Sequence, residues 1–145
     1  MAVKKKNNSI FIDSGGFIAS MVISDRHYKA ASQFMDKILS SKETLVTSNL
    51  VIAETYPLIY RFSNYKNAIR FFDIVSKTSK AGFIKIIFST AEHYRVAGEI
   101  LRKYSDQDLS LVDAVSFAIM RELKINRVFG FDSHFLLEGF ILEPY

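Results

Sequence analysis

The chain predicts an α/β fold, with a mainly parallel sheet covered by helices on both faces. Three observations lead there. Short runs of β-branched and aromatic residues alternate with helical stretches of ten or more residues, which is the pattern of βαβ units. The 145 residues are the length of one ordinary domain. Hydrophobic residues make up 49% and charged residues 23%, enough apolar material for a packed core and too much for a disordered chain.

The elements follow in order. Ser9 to Ile12 reads as a buried strand that ends at Asp13, with Ser14, Gly15 and Gly16 as a turn. Between Tyr28 and Leu39 the apolar residues Ala31, Phe34, Met35, Ile38 and Leu39 fall on one helical stripe. Thr44 to Thr47 is a second short strand. Ser48 or Asn49 then caps a helix through Leu50, Ala53 and Ile59, where Pro57 predicts a kink or a break. Asn64 to Lys77 is helical again, with Ala68, Ile69, Phe72 and Val75 on one face. Phe83 to Phe88 is a strand. Ser89 and Glu92 are spaced as a capping box for a helix reaching Tyr104, and Ser110 opens another over Leu111 to Leu123. Asn126 to Phe131 is a fourth strand, ending at Asp132. A brief helical turn and a strand near Phe140 to Leu142 close the chain.

Composition narrows the chemistry. There is no cysteine, which excludes disulfides, zinc-thiolate sites and a cysteine nucleophile. The formal charge is +4, a mild basic excess that permits a polyanionic partner without requiring one. Lys4, Lys5 and Lys6 supply part of it, in residues 1–8, a polar stretch read as a flexible basic tail ahead of a single domain over residues 9–145. No stretch reaches the ~20 apolar residues of a membrane span. Asp13 and Gly15-Gly16 interrupt the apolar segment from Ile10 to Ile23, and no small-residue cleavage site follows it. A secretory signal is therefore not expected, and a cytoplasmic protein is.

Four acids carry the functional reading. Asp13 and Asp132 each follow a strand directly, and in parallel sheets ligands bind beyond the carboxyl ends of the strands. Glu54 lies about a turn and a half into the helix after the second strand, among Val51, Ile52, Ala53 and Tyr56. Asp113 lies in the first turn of a helix, in Ser110-Leu111-Val112-Asp113. Topology can bring all four to one rim. Such a set suits a hard divalent cation, Mg²⁺ or Mn²⁺, which neutralises carboxylates that would otherwise repel. Plainer roles exist for each. Asp13 and Asp132 are placed to cap turns, Asp113 completes an S-x-x-D capping box, and Glu54 is placed as a solvated helix residue.

In order and context the acids resemble those of the PIN-domain family, in particular its VapC-type toxins. The matching pieces are Ile10-Phe11-Ile12-Asp13-Ser14-Gly15, Ala53-Glu54, Leu109-Ser110-Leu111-Val112-Asp113-Ala114, and Phe131-Asp132-Ser133-His134-Phe135 with Glu138-Gly139-Phe140 after it. The resemblance implies a three-layer α/β/α sandwich and a metal-dependent endoribonuclease. Asp13, Glu54, Asp113 and Asp132 would be its metal-binding, catalytic acids. It implies lining roles for Ser14 and Ser110 and an outer role for Asp108. It also implies an RNA substrate, a homodimer and, in a toxin–antitoxin pair, an antitoxin protein that masks the site. One position departs from the family, which often carries Thr or Ser two residues before the last acid; Gly130 stands there.

Other features carry less. Arg61, Lys66, Arg70, Lys77, Lys80, Arg102, Lys103, Arg121 and Lys124 are candidate phosphate contacts, each also explicable as a solvated helix face. Tyr56, Tyr60 and Tyr65 are candidate base-stacking residues, with core or dimer packing the simpler reading. His27, His93 and His134 are too dispersed to form a metal cluster, and His134 reads as structural. No G-x-S-x-G elbow supports a serine triad, and no GxxxxGK[ST] supports triphosphate hydrolysis. A receiver-type phosphoacceptor would need paired acids at the first strand and a lysine at a late strand end, and both are missing. The remaining rival is a non-catalytic PIN-like domain that binds RNA or protein.

Overall fold

The computed structural model describes residues 7–144. The lysines of the expected N-terminal tail lie outside them. Five strands, β1 (Ser9–Ile12), β2 (Thr44–Ser48), β3 (Ile84–Ile87), β4 (Arg127–Phe129) and β5 (Ile141–Glu143), form one sheet in the order β3-β2-β1-β4-β5. Every pairing is parallel. Six α-helices connect them: α1 (Ser14–Met21), α2 (Tyr28–Leu39), α3 (Asn49–Phe62), α4 (Tyr65–Lys80), α5 (Ala91–Lys103) and α6 (Leu111–Glu122). A 3₁₀ turn over Ser133–Glu138 precedes β5.

Consecutive residues of β1 point to opposite faces of the sheet, yet Ile10, Phe11 and Ile12 are all fully buried. Helices therefore cover both faces, giving the α/β/α sandwich that the alternation of elements predicts. The core joins β1 to Phe71 of α4, to Phe117, Ile119 and Met120 of α6, and to Phe129 and Phe135. No helix among the described residues is long and apolar enough to cross a membrane.

Several local expectations change. Ser14-Gly15-Gly16 is not a turn but the start of α1. A Cβ on Gly16 would stand 2.4 Å from the Phe129 carbonyl oxygen, so glycine here lets the helix pass against the end of β4. Pro57 does not break α3, which runs unbroken from Asn49 to Phe62. The carbonyl deprived of its partner belongs to Ala53, and both residues are exposed, so water can satisfy it. Thr90 rather than Ser89 caps α5, and its capping-box partner is His93 rather than Glu92. The fourth strand ends at Phe129, not at Asp132, because Gly130 already turns away after its N–H bonds the Glu143 carbonyl of β5.

Candidate metal centre

Strands β2 and β3 lie on one side of β1, and β4 and β5 on the other. The chain reverses direction across the sheet between β1 and β4, and the crevice beyond their carboxyl ends is where α/β sheets bind ligands. Asp13 directly follows β1 and is held there by its N–H, which donates to the Phe129 carbonyl at 3.1 Å. Asp132 stands three residues past β4, at the head of the 3₁₀ turn, where its Oδ1 accepts the His134 N–H at 2.9 Å.

Helices bring the other two acids. Ser48 is buried at the end of β2, and its hydroxyl accepts the Val51 N–H at 3.1 Å to start α3, which carries Glu54. Ser110 caps α6 by accepting the Asp113 N–H at 3.0 Å, while Asp113 Oδ2 accepts the Ser110 N–H at 3.3 Å. The capping box expected from sequence is present and is compatible with a metal role. It fixes the Asp113 rotamer through Oδ2, and Oδ1 makes no hydrogen bond among the described residues.

The electrostatics are those of crowded acids with no arginine or lysine paired to them among the described residues. Asp13 is 4% exposed and Asp113 8%. Burial raises the Asp13 pKa to about 7; the Ser14 backbone N–H partly offsets this, and the charges of Asp113, Glu54 and Asp132 add to it. Glu54 is raised by burial and by Asp113 and Asp132, with the Ser14 hydroxyl acting against them. Asp113 is raised by burial and by Asp132, opposed by its bonds to Ser110 and by His134. The charge of Asp132 thus acts on each of the other three acids, and that of Asp113 on Asp13 and Glu54. Asp13 Oδ1 is buried with no hydrogen-bond partner among the described residues, a costly arrangement unless something else pairs with it. A group of hard oxygen donors with an orphaned buried carboxylate oxygen fits a divalent cation.

The auxiliary residues divide. Ser14 bonds Glu54 through its hydroxyl and Ser110 bonds Asp113. Asp108 is exposed and forms no hydrogen bond to them among the described residues, so it is not brought into the cluster. His134, which reads from sequence as structural, stands with two of the acids. Ligand atoms of Asp113, Asp132 and His134 all lie within 4.8 Å of one another. The signal was the two-residue step from Asp132, which on a 3₁₀ turn folds the imidazole back onto the acid.

Among the basic candidates, Arg121 is paired with Glu138, and Lys103 lies 3.7 Å from it. Tyr60 and Tyr65 meet edge to face with ring centroids 6.2 Å apart, and both are more than half exposed, outside the core. Beside the acids, His27 stacks on Phe131 with centroids 4.0 Å apart.

The chain is 29% identical over 132 residues to the 23S rRNA-specific endonuclease VapC20 of Mycobacterium tuberculosis, covering 91% of this chain and 95% of that protein. The crystal structure of M. tuberculosis VapC20, described as a sarcin-ricin loop cleaving toxin, superposes with a TM-score of 0.81 over 91% of this chain and 96% of the other, at 29% identity. VapBC2 from Rickettsia felis, solved bound to a DNA fragment of its promoter, shares the fold at a TM-score of 0.63 and 15% identity, over 93% of this chain and 97% of that one. The PIN domain model matches residues 10–137, and with the acids gathered at the switch point of a parallel sheet, the chain belongs to the PIN domain family.

Proposed function

We propose that this protein is a metal-dependent endoribonuclease, the toxin of a toxin–antitoxin pair, and that Asp13, Glu54, Asp113 and Asp132 hold its ion, Mg²⁺ or Mn²⁺. The observation that carries this reading is the cluster of acids in which Asp13, Glu54 and Asp113 have pKa values raised by burial and by neighbouring acids, with no arginine or lysine paired to them among the described residues. A purely structural role gives no reason to crowd four carboxylates together. The similarity to an rRNA endonuclease over nearly the whole chain supplies the substrate class.

When bound, the ion would supply a water of lowered pKa and neutralise the charge of the scissile phosphate. The chain's own residues provide the rest. Asp13, whose pKa burial and neighbouring acids raise to about 7, would hold the ion as the carboxylate, the positive charge offsetting the crowding of acids. Ser110 holds Asp113 in one rotamer, and the 3₁₀ turn holds Asp132. Net hydrolysis forms one bond from a water oxygen to phosphorus and breaks one bridging P–O bond, with the proton passing to the leaving oxygen.

The test is cleavage of structured rRNA fragments and single-stranded RNA by purified protein in Mg²⁺, in Mn²⁺ and in EDTA, beside Asp113→Asn. Cutting that needs metal and disappears in the variant supports the proposal. A folded wild-type protein that neither cuts nor binds Mn²⁺ would favour a non-catalytic PIN-like binding domain instead.

The same reading carries an antitoxin partner that covers the acidic rim, a cytoplasmic location and a homodimer. Phe72 and Phe88, both exposed, border an apolar groove with Ile52 and Ile86, a face suited to self-association. Light scattering on the purified protein checks the dimer.

A further inference from the structure

His134 has a buried Nδ1 that no group among the described residues hydrogen-bonds. It stands 2.9 Å from Asp132 Oδ1, but that oxygen already accepts the His134 backbone N–H, and the ring nitrogen is not aligned with it as a hydrogen bond. A bare close approach of two electron-rich atoms is unfavourable unless something lies between their lone pairs. Around an octahedral ion with donors at ~2.1 Å, adjacent donors sit ~3 Å apart. The Nδ1–Oδ1 separation fits that edge, and an oxygen of Asp113 lies within the same 4.8 Å group.

We propose that His134 Nδ1 is a nitrogen donor to the ion held by Asp113 and Asp132, and that it biases the site toward Mn²⁺ over Mg²⁺. The inference rests on the metal site proposed above. Imidazole nitrogen suits transition ions, whereas Mg²⁺ prefers an all-oxygen shell. The ring would bind as the neutral tautomer with its proton on Nε2, leaving the Nδ1 lone pair directed at the ion. Neither other histidine is set up for this. His93 Nδ1 accepts the Thr90 N–H at 3.0 Å and its Nε2 meets Glu122 at 2.9 Å, while Arg26 Nε donates to His27 Nε2 at 3.0 Å.

The experiment is pulsed electron paramagnetic resonance of Mn²⁺ bound to the full chain, read for ¹⁴N coupling from a directly bound imidazole. Wild type should show the coupling, His27→Gln should keep it, and His134→Gln should lose it. Competition titrations should show the preference for Mn²⁺ over Mg²⁺ falling about tenfold in His134→Gln. Bound Mn²⁺ without directly bound ¹⁴N in wild type, or coupling that persists in His134→Gln, would overturn the inference while leaving the carboxylate site standing. The wild-type spectrum decides this even if the variant folds poorly. Mn²⁺ binding that survives unchanged in Asp113→Asn would remove the site itself, and the inference with it.

Discussion

Two groups of partly buried acids in this protein are treated in opposite ways. Away from the crevice, acids are matched with cations. Glu43, just ahead of β2, and Glu143 of β5 both bind Arg127, and Glu138 receives Arg121, Lys103 and the Tyr104 hydroxyl. Burial alone would raise Glu43 and Glu138, but the arginine hydrogen bonds and charges outweigh it and both pKa values fall. At the carboxyl ends of β1 and β4, burial also raises Asp13 and Asp113, and there the neighbours are more acids, which raise them further. Arginines and a lysine offset burial at Glu43 and Glu138, whereas at Asp13 and Asp113 neighbouring acids add to it.

The largest effect should follow from breaking the unpaired group. Asp113→Asn keeps the capping oxygen but removes a negative charge from the proposed metal site, so RNA cleavage should fall on the order of 10²–10³-fold or more with the circular dichroism spectrum unchanged. Normal cleavage by this variant would take Asp113 out of the site.

The paired group should respond in stability and not in metal affinity. Glu138→Gln leaves Arg121 without its carboxylate and should cost roughly 1–3 kcal/mol in denaturant unfolding at pH 7. Because the folded pKa of Glu138 lies below its ordinary value, its stabilisation is present above that value and fades as acid protonates it. The cost of the variant should therefore shrink as pH falls below the ordinary Glu range. An unchanged cost at low pH, or a loss of Mn²⁺ binding, would merge two regions held here to be separate.

A smaller effect sharpens the contrast from inside the site. A Cβ on Gly130 would lie 3.3 Å from Asp13 Cβ and 3.8 Å from its Oδ2, so a serine hydroxyl there reaches the carboxylate. Gly130→Ser should lower the Asp13 pKa and tighten Mn²⁺ binding by roughly three- to tenfold. Weaker binding in calorimetry would mean that the tight Cβ contact displaces Asp13 instead.

Much of this was legible in the sequence because it is local. Strand β1 begins and ends where its apolar run does, Ser110 caps the helix it was expected to cap, and an acid directly after a buried strand has few places to go. What was hidden depends on partners distant in the chain. Gly16 reads as a turn residue until Phe129 is seen against it, and the end of β4 is set where Gly130 bonds Glu143. His134 is the one histidine near the acids in sequence, and reads as structural because carboxylates suffice for a hard cation. Hidden in the sequence is that Asp113, from a distant segment, meets Asp132 and His134 there.

The central claim is that the acid cluster strains the metal-free fold and is relieved by a cation, and thermal unfolding at pH 8 with and without Mn²⁺ tests it most directly. The pKa of Asp13 is raised from 3.8 to about 7, so its contribution favours the fold at low pH and is lost as pH rises through 7. Without metal at pH 8, Asp13→Asn should therefore be more stable than wild type by roughly 2–4 kcal/mol. With saturating Mn²⁺ the order should reverse, because only wild type retains the full ligand set. A variant less stable than wild type without metal, or a Mn²⁺ shift equal in both proteins, would contradict the account.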